Sequence, residues 1–199
     1  MNAEYHRLDA EASVVAGQLR ELALSAELRS PADHARFERQ MASLGRKLAA
    51  LHRGLALIRA VNSADLRQGE REFVKSLPQK YHSQGTRAKV IHLVEGVTVT
   101  LDVTYYHRLK TPRATDHGRR GLYPMLLLLG ISGRYTPLAR QHMAQAAALL
   151  GSFEEAVAML AEQGIDVSVN QLRSVTAGMG RLLQQRTAQG SLTAAGDVA

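Results

Sequence analysis

The sequence predicts an α+β fold that is mainly α-helical, with an N-terminal helical hairpin, a β-hairpin and a C-terminal helix-turn-helix bundle. Three patterns indicate this fold. Apolar residues recur at alternating spacings of four and three through residues 8–58, as on one side of a helix. The apolar spacing falls to two from Lys89 to Tyr106, where β-branched residues dominate. Two helix-capping sequences separated by a glycine then follow Gly151.

The helical hairpin is predicted to span residues 1–62. Its first helix stops at Ser30-Pro31, where Ser30 caps the second helix and Asp33 completes an acidic variant of the capping box. The apolar stripe of the first helix consists of Leu8, Ala12, Val15, Leu19, Leu22 and Ala26. The stripe of the second helix consists of Phe37, Met41, Leu44, Leu48, Leu51, Leu55 and Ile58. Two structures remain open: an antiparallel hairpin within one chain, or a coiled coil that pairs two chains.

Residues 63–88 are predicted to form a linker with one short helix, from Ala64 to about Ser76. The next predicted domain, residues 89–189, opens with the β-hairpin and its turn at Glu95-Gly96. One face of the second strand consists of Val97, Val99, Leu101, Val103 and Tyr105. The other face consists of Thr98, Thr100, Asp102, Thr104 and Tyr106. This alternation predicts a sheet with one solvated side, supported by a buried apolar segment at residues 122–131.

Composition and charge limit the classes of function. The chain has 199 residues, of which 45% are hydrophobic and 22% charged, as in soluble globular proteins. It has no cysteine, which excludes disulfides, thiolate catalysis and cysteine zinc sites. The net charge of +7 favours a polyanionic partner, because cations that meet phosphates release counterions. Neither a signal sequence nor an apolar run of about 20 residues is evident, so we expect a cytoplasmic protein without membrane contact.

The loop from Arg108 to Arg120 is the strongest local concentration of positive charge, with Asp116 as its single acid. Its cations are Arg108, Lys110, Arg113, Arg119 and Arg120. Such a loop either contacts DNA phosphates or is simply solvated, and both interpretations remain open. His107 and His117 are weak candidates for metal ligands. Because no cysteine or acidic pair accompanies them, no metal or other cofactor is expected.

Residues 152–185 predict a helix-turn-helix. Ser152 and Glu155 form one capping box, Gly164 supplies a left-handed stop, and Ser168 and Gln171 form a second capping box. The second helix of such a unit enters the major groove through its exposed N-terminal positions, where amide, guanidinium and hydroxyl groups bond to bases or phosphates. The predicted DNA-contacting residues of this helix are Ser168, Asn170, Gln171, Arg173 and Ser174. The alternative is a helical pair that serves only for packing.

The order of these features is informative in itself. The second strand ends in Val103-Thr104-Tyr105-Tyr106, and the basic loop follows it. Next come Gly151-Ser152-Phe153-Glu154-Glu155-Ala156 and Gly164-Ile165-Asp166-Val167-Ser168. From about Val90 to Gly180 the chain resembles the N-terminal half of bacterial insertion-sequence transposases of the Kra type. In that family a strand ending in paired tyrosines leads into a zinc-ribbon-like knuckle, and a phrase similar to Ser-Phe-Glu-Glu-Ala precedes a helix-turn-helix.

Two departures limit what the resemblance implies. The family's knuckle is built on pairs of cysteines, whereas residues 107–121 contain none, so we do not expect a metal-held knuckle. The family also continues into a ribonuclease-H-like catalytic domain with three metal-binding acids. Here residues 190–199 are expected to form a disordered tail, and catalysis is not expected.

The leading hypothesis is a noncatalytic, transposase-derived protein that recognises DNA through its helix-turn-helix. Its basic loop would contact phosphates, and its helical hairpin would pair two protomers. A second hypothesis is a structural or adaptor protein whose helical hairpin binds a protein partner. A third is an enzyme with a noncanonical site, although no set of residues in the sequence indicates one.

Overall fold

The computed structural model describes residues 3–108 and 121–196, except for the side chains of Leu182, Leu183 and residues 185–196. Its helices are α1 (Ala3–Ser25), α2 (Pro31–Asn62), α3 (Ala64–Ser76), α4 (Pro124–Leu128), α5 (Pro137–Leu149), α6 (Phe153–Glu162) and α7 (Val169–Gly196). Its strands are β1 (Tyr81–His92), β2 (Thr98–Arg108) and β3 (Gly121–Leu122). The prediction of a mainly helical α+β fold is confirmed. Helix α7 includes residues 190–196, where the sequence predicts a disordered tail.

The chain divides into two compact units, Met1–Pro137 and Leu138–Ala199. The β-hairpin therefore belongs with the N-terminal helices, which differs from the predicted domain of residues 89–189. The physical reason is that the apolar face of the hairpin packs against α2 and α4, and both helices belong to the first unit. In the part of the chain that the structure describes, no helix has both the length and the apolar character needed to cross a membrane.

Helices α1 and α2 pack as an antiparallel hairpin within one chain. Leu8 faces Gly54, and one turn further along α1 the carboxylate of Glu11 lies 3.1 Å from the ammonium of Lys47. Ser30 caps α2 as predicted, since its Oγ atom accepts a hydrogen bond from a backbone N–H in the first turn. Helix α1 ends at Ser25, five residues before the predicted boundary, and residues 26–30 connect the two helices.

The apolar stripes of this hairpin are buried over only part of their length. The buried members are Leu8, Ala12, Val15, Leu51, Leu55 and Ile58. The half-buried members, towards the connection between the helices, are Leu19, Leu22, Ala26, Phe37, Met41, Leu44 and Leu48. The stripe therefore forms core where it meets the sheet and becomes more exposed away from it.

The sheet is antiparallel, with strand order β1-β2-β3. Its predicted turn is present: Glu95 and Gly96 have φ values of 59° and 69°, and a type I′ hairpin turn requires positive φ at both positions. Strand β1 starts at Tyr81, so the prediction of a linker is wrong for residues 81–88. These residues are mostly polar and exposed, and they form a strand because they pair with the distal half of β2.

Strand β2 has the predicted alternation, but its second face is less solvated than predicted. Its buried side chains are Val99, Leu101 and Val103, continued by Val97 in the turn. On its other face Asp102 is exposed, and Thr98, Thr100, Thr104 and Tyr106 are half-buried. The apolar segment at residues 122–131 is less buried than predicted, because Leu127 and Leu128 are 51% and 40% exposed, while Met125, Leu126 and Ile131 are buried.

A close contact between helix and strand joins the hairpin to the sheet. Leu8 and Val99 are fully buried on either side of Gly54. A Cβ atom added to Gly54 would lie 3.0 Å from a Leu8 methyl group and 4.0 Å from the Val99 Cβ atom. Glycine at this position therefore allows α1, α2 and β2 to approach one another closely.

The first turn of α1 also holds β2 through polar contacts. Glu4 accepts a hydrogen bond from the backbone N–H of Thr100 at 2.8 Å, and Arg7 donates to the backbone carbonyl of Thr98 at 2.8 Å. Arg7 and Glu4 also bind each other in a bidentate ion pair, with distances of 2.8 and 2.9 Å. The hydrogen bond from Arg7 lowers the pKa of Glu4, and this lowering is larger than the rise that burial causes. We call this arrangement the α1 clamp.

We expect Glu4→Gln to destabilise the protein at neutral pH by about 1 kcal/mol, because the amide still accepts from Thr100 but loses the charge that the half-exposed Arg7 binds. Because folding lowers the pKa of Glu4, its stabilising effect is present above the usual glutamate pKa of about 4.3 and is lost as the pH falls through the lowered value. Urea denaturation of both proteins between pH 3 and pH 7 measures this. Glu21→Gln on exposed α1 surface is the matched control, and a loss of stability that is equal at every pH would contradict the clamp.

Helix α3 contributes a buried acid that its polar sequence does not reveal. Glu70 is 5% exposed and lines a cleft of about 520 Å³ together with Arg67, Arg71 and Tyr106. Burial raises the pKa of Glu70, against the lowering effects of the Met125 backbone N–H and the two arginines. Its Oε1 atom has no hydrogen-bond partner among the described residues. Burial also raises the pKa of Tyr106, and the charge of Glu70 adds to that rise.

We expect Glu70→Gln to stabilise the protein at pH 7. Because folding raises the pKa of Glu70, this carboxyl group ionises at a lower pH in the unfolded chain than in the folded protein. The wild type therefore loses stability as the pH increases from the usual glutamate pKa to the raised value. The substitution removes that loss and should raise the Tm by about 2–4 °C, as about 1 kcal/mol does in a chain of this size. Thermal melts at pH 4 and pH 7 measure the gain, which should shrink at pH 4. Glu72→Gln, on exposed α3 surface, is the control, and a lower Tm for Glu70→Gln at pH 7 would contradict this account.

The second unit contains α5, α6 and α7 around a small apolar core. Its buried residues are Ala139, Met143, Ala146, Ala156, Leu160, Ile165, Val167 and Leu172. A polar contact joins α5 to the end of α6, where His142 Nδ1 lies 3.1 Å from Gln163 Oε1. The unit is thus held by one leucine or methionine from each helix and by the two apolar residues of the turn.

Candidate nucleic-acid interface

The predicted helix-turn-helix corresponds to α6, a turn at residues 163–168, and α7. Ser152 Oγ accepts a hydrogen bond from the Glu155 backbone N–H at 3.1 Å. The second capping box is reciprocal: Ser168 Oγ accepts from the Gln171 N–H at 3.3 Å, and Gln171 Oε1 accepts from the Ser168 N–H at 2.9 Å. Gly164 has a φ of 68°, the left-handed conformation that ends α6.

The turn is longer than the three or four residues that usually join the helices of this motif, since six residues separate Glu162 from Val169. Ile165 and Val167 alternate with Asp166 along it and are 1% and 5% exposed. Both apolar side chains enter the core of the unit. The turn is therefore anchored, and it fixes where α7 begins.

The N-terminal part of α7 has one buried and one exposed side. Leu172 is fully buried, whereas Asn170, Arg173 and Ser174 are exposed. The Cζ atom of Arg173 lies 5.2 Å from the centroid of the Phe153 ring of α6, a cation–π contact. This contact restricts the guanidinium group to the side of α7 that faces the start of α6.

The two other predicted contact residues have a structural role. The side chains of Ser168 and Gln171 are hydrogen-bonded to each other, with 3.1 Å between Ser168 Oγ and Gln171 Oε1, and to the backbone of the cap. A base contact through Gln171 Oε1 would compete with the cap. Asn170, Arg173 and Ser174 are therefore the predicted residues best placed for contacts with DNA.

Positive charge is distributed unevenly between the units. In Met1–Pro137 there are 21 lysines and arginines against 13 acids, whereas Leu138–Ala199 has 4 against 5. The unit that carries the helix-turn-helix is thus close to neutral, and the excess positive charge of the chain lies in the other unit. Counting charges by segment in the sequence would have revealed this asymmetry, but the boundary at residue 137 was not predicted.

The basic loop lies mostly outside the described residues. Arg108 ends β2, is half-buried and pairs with Tyr81 in the β1–β2 register. The predicted phosphate contacts at Lys110, Arg113, Arg119 and Arg120 fall in residues 109–120, outside the part of the chain that the structure describes.

Sequence reasoning missed a cluster on the sheet that consists of Arg87, Lys89, Tyr105 and Tyr123, which we call the cation–tyrosine surface. The Arg87 Cζ atom lies 4.0 Å from the ring centroid of Tyr105, and the Lys89 Nζ atom lies 4.6 Å from that of Tyr123. The two rings are 5.0 Å apart between centroids. The cluster becomes visible only when the strands are in register, because its members come from three separate segments of the sequence.

His107 and His117 are the two histidines that the sequence offers as metal ligands. The His107 ring lies 6.5 Å from Tyr105, at the end of β2, and His117 falls outside the described residues. Within residues 3–108 and 121–196, no group of three or more histidine, aspartate or glutamate side chains is arranged to hold a metal ion. No protein-family model matches this chain, and neither do any curated protein or solved structure.

Proposed function

We propose that this protein binds duplex DNA and that the N-terminal part of α7 enters the major groove. One observation carries the proposal: Asn170, Arg173 and Ser174 are exposed at the start of a helix whose opposite side is buried through Leu172. The recognition helix of a helix-turn-helix has this arrangement, with its N-terminal residues directed at base edges.

The three side chains have complementary recognition chemistry. An asparagine bonds bidentately to adenine, an arginine bonds to guanine or phosphate, and a serine hydroxyl bonds to either. Asn170 and Arg173 are three residues apart and therefore lie on the same side of α7. Because the Phe153 ring already restricts Arg173, less conformational entropy is lost when its guanidinium group binds DNA.

The near-neutral charge of Leu138–Ala199 means that this unit attracts DNA only weakly without base contacts. Counterion release by lysine and arginine supplies most of the affinity that does not depend on sequence. With four such residues against five acids, the helix-turn-helix unit is suited to reading bases and contributes little nonspecific attraction. Its origin in a noncatalytic, transposase-derived protein remains a prediction from the resemblance to the Kra-type family.

Selection from a pool of duplexes with a randomised core, followed by fluorescence-anisotropy titration of the enriched duplex, tests this function. We expect the full chain to enrich a defined sequence. Asn170→Ala should reduce discrimination against one wrong base pair by about 1–3 kcal/mol, the value of a good bidentate contact. Arg173→Ala should weaken binding of the enriched duplex about tenfold or more.

Arg39→Ala, on exposed α2 surface, is the charge-matched control and should leave discrimination between duplexes unchanged. Leu172 is not a suitable position for a test substitution, because the loss of its side chain would damage the core of the unit. If no sequence is enriched, or if Asn170→Ala and Arg173→Ala bind the duplexes as the wild type does, α7 does not read DNA.

A further inference from the structure

We infer that the cation–tyrosine surface, Arg87, Lys89, Tyr105 and Tyr123, is a binding site for a single DNA strand with unpaired bases. This inference goes beyond the proposed function, because the site lies in Met1–Pro137 and does not involve the helix-turn-helix. It rests on the geometry of the rings and cations and on the charge around them.

The four side chains lie on one face of the sheet. Arg87 pairs with Val103 and Lys89 with Leu101 in the β1–β2 register. Tyr105 lies two residues beyond Val103 and four beyond Leu101, so both cations share its face of the sheet. The rings of Tyr105 and Tyr123 are 5.0 Å apart and inclined at 44°, so they form adjoining aromatic surfaces. Both tyrosines are half-buried, which leaves part of each accessible.

Both cations retain their charge for a ligand. Arg87 is exposed and Lys89 half-buried, and within the described part of the chain neither forms an ion pair with an acid. Their described partners are the tyrosine rings, with which a cation interacts by only about 0.5–1 kcal/mol at an exposed site. Such a contact holds the cation in place without neutralising it, so the charge still attracts phosphates.

A glycine maintains the close approach of β3 to this surface. A Cβ atom at Gly121 would lie within 1.8 Å of the Tyr105 hydroxyl oxygen, so any larger residue would displace the ring. Residues 108–120, which follow Tyr105 closely in the sequence, include five further cations and one acid.

Aromatic rings beside cations on an antiparallel sheet match the chemistry of unpaired nucleotides. Bases stack on the rings, and each such stack is tolerant of sequence because every base has a π-face. Arg87 and Lys89 would bind the phosphates that join the stacked bases. A duplex fits this site less well, because its bases are already stacked on one another and are not available to the tyrosines.

Fluorescence-anisotropy titration of the full chain with a labelled oligothymidylate of about 15 nucleotides at several salt concentrations tests the inference. We expect Tyr105→Ala to weaken binding about tenfold or more with little change in the salt dependence, since stacking releases no counterions. Arg87→Ala should reduce the slope of log K against log salt by about 0.7, the contribution of one phosphate contact on a single strand. Tyr105→Phe keeps the ring and should bind within about twofold of the wild type.

Arg20→Ala, on exposed α1 surface, is the charge-matched control and should preserve both affinity and slope. Thermal melts establish whether each variant is folded. If Tyr105→Ala is unfolded, Arg87→Ala and Tyr123→Ala still test the surface independently. The inference is overturned if the wild type does not bind the oligonucleotide at low salt, or if folded Arg87→Ala and Tyr123→Ala bind as the wild type does. Arg173→Ala separates the two proposals, because it should weaken duplex binding and leave oligothymidylate binding unchanged.

Discussion

The contact of α1 and α2 with β2 is the constraint on which the N-terminal unit depends. A sheet of two long strands and one two-residue strand does not remain stable in water unless its apolar face is covered. Leu8 and Val99 are buried beside Gly54, where an added Cβ atom would lie 3.0 Å from a Leu8 methyl group, and this close packing provides that cover. The α1 clamp fixes the position of the first helical turn on the strand. The same contact explains why the β-hairpin belongs with the N-terminal helices instead of with the helix-turn-helix.

Strand β2 changes character along its length, from the end that the helices cover to the end that carries Tyr105. Beyond Val103, the face that carries Leu101 and Val99 changes from aliphatic residues to Tyr105 and His107. Here the side chains are half-buried and cations lie over the rings, so the same strand provides hydrophobic core at one end and a polar, partly exposed surface at the other. The excess positive charge of Met1–Pro137 is consistent with an anionic partner for this surface, whereas the helix-turn-helix has little charge of its own.

Features set by neighbours in the sequence could be predicted, and features set by distant contacts could not. The Ser30 and Ser168 caps and the Glu95-Gly96 turn each depend on a few consecutive residues, and all are present. Residues 81–88 have no apolar alternation, and their strand conformation depends on pairing with β2. Glu70 is typical of a solvated helix by sequence, yet it is buried where α3 packs against α4.

The two candidate sites also differ in whether sequence neighbours or distant contacts define them. Asn170, Arg173 and Ser174 could be predicted because a capped amphipathic helix fixes which of its positions are exposed. Their partner Phe153 belongs to the preceding helix, and helical periodicity does not show that its ring lies beside Arg173. The cation–tyrosine surface depends on strand register and on β3, neither of which periodicity specifies.

The central claim is that this protein binds nucleic acid, with the sheet of the N-terminal unit as the site for unpaired strands. Its most direct test is photocrosslinking of the full chain to single-stranded DNA that contains 5-iodouracil, followed by mass spectrometry. A crosslink forms where the modified base touches a side chain, so bases that stack on the tyrosines should label those rings. We predict adducts on Tyr105 or Tyr123 that an excess of unlabelled single strand removes. Adducts confined to other residues, or none under conditions where the strand is bound, would contradict the account.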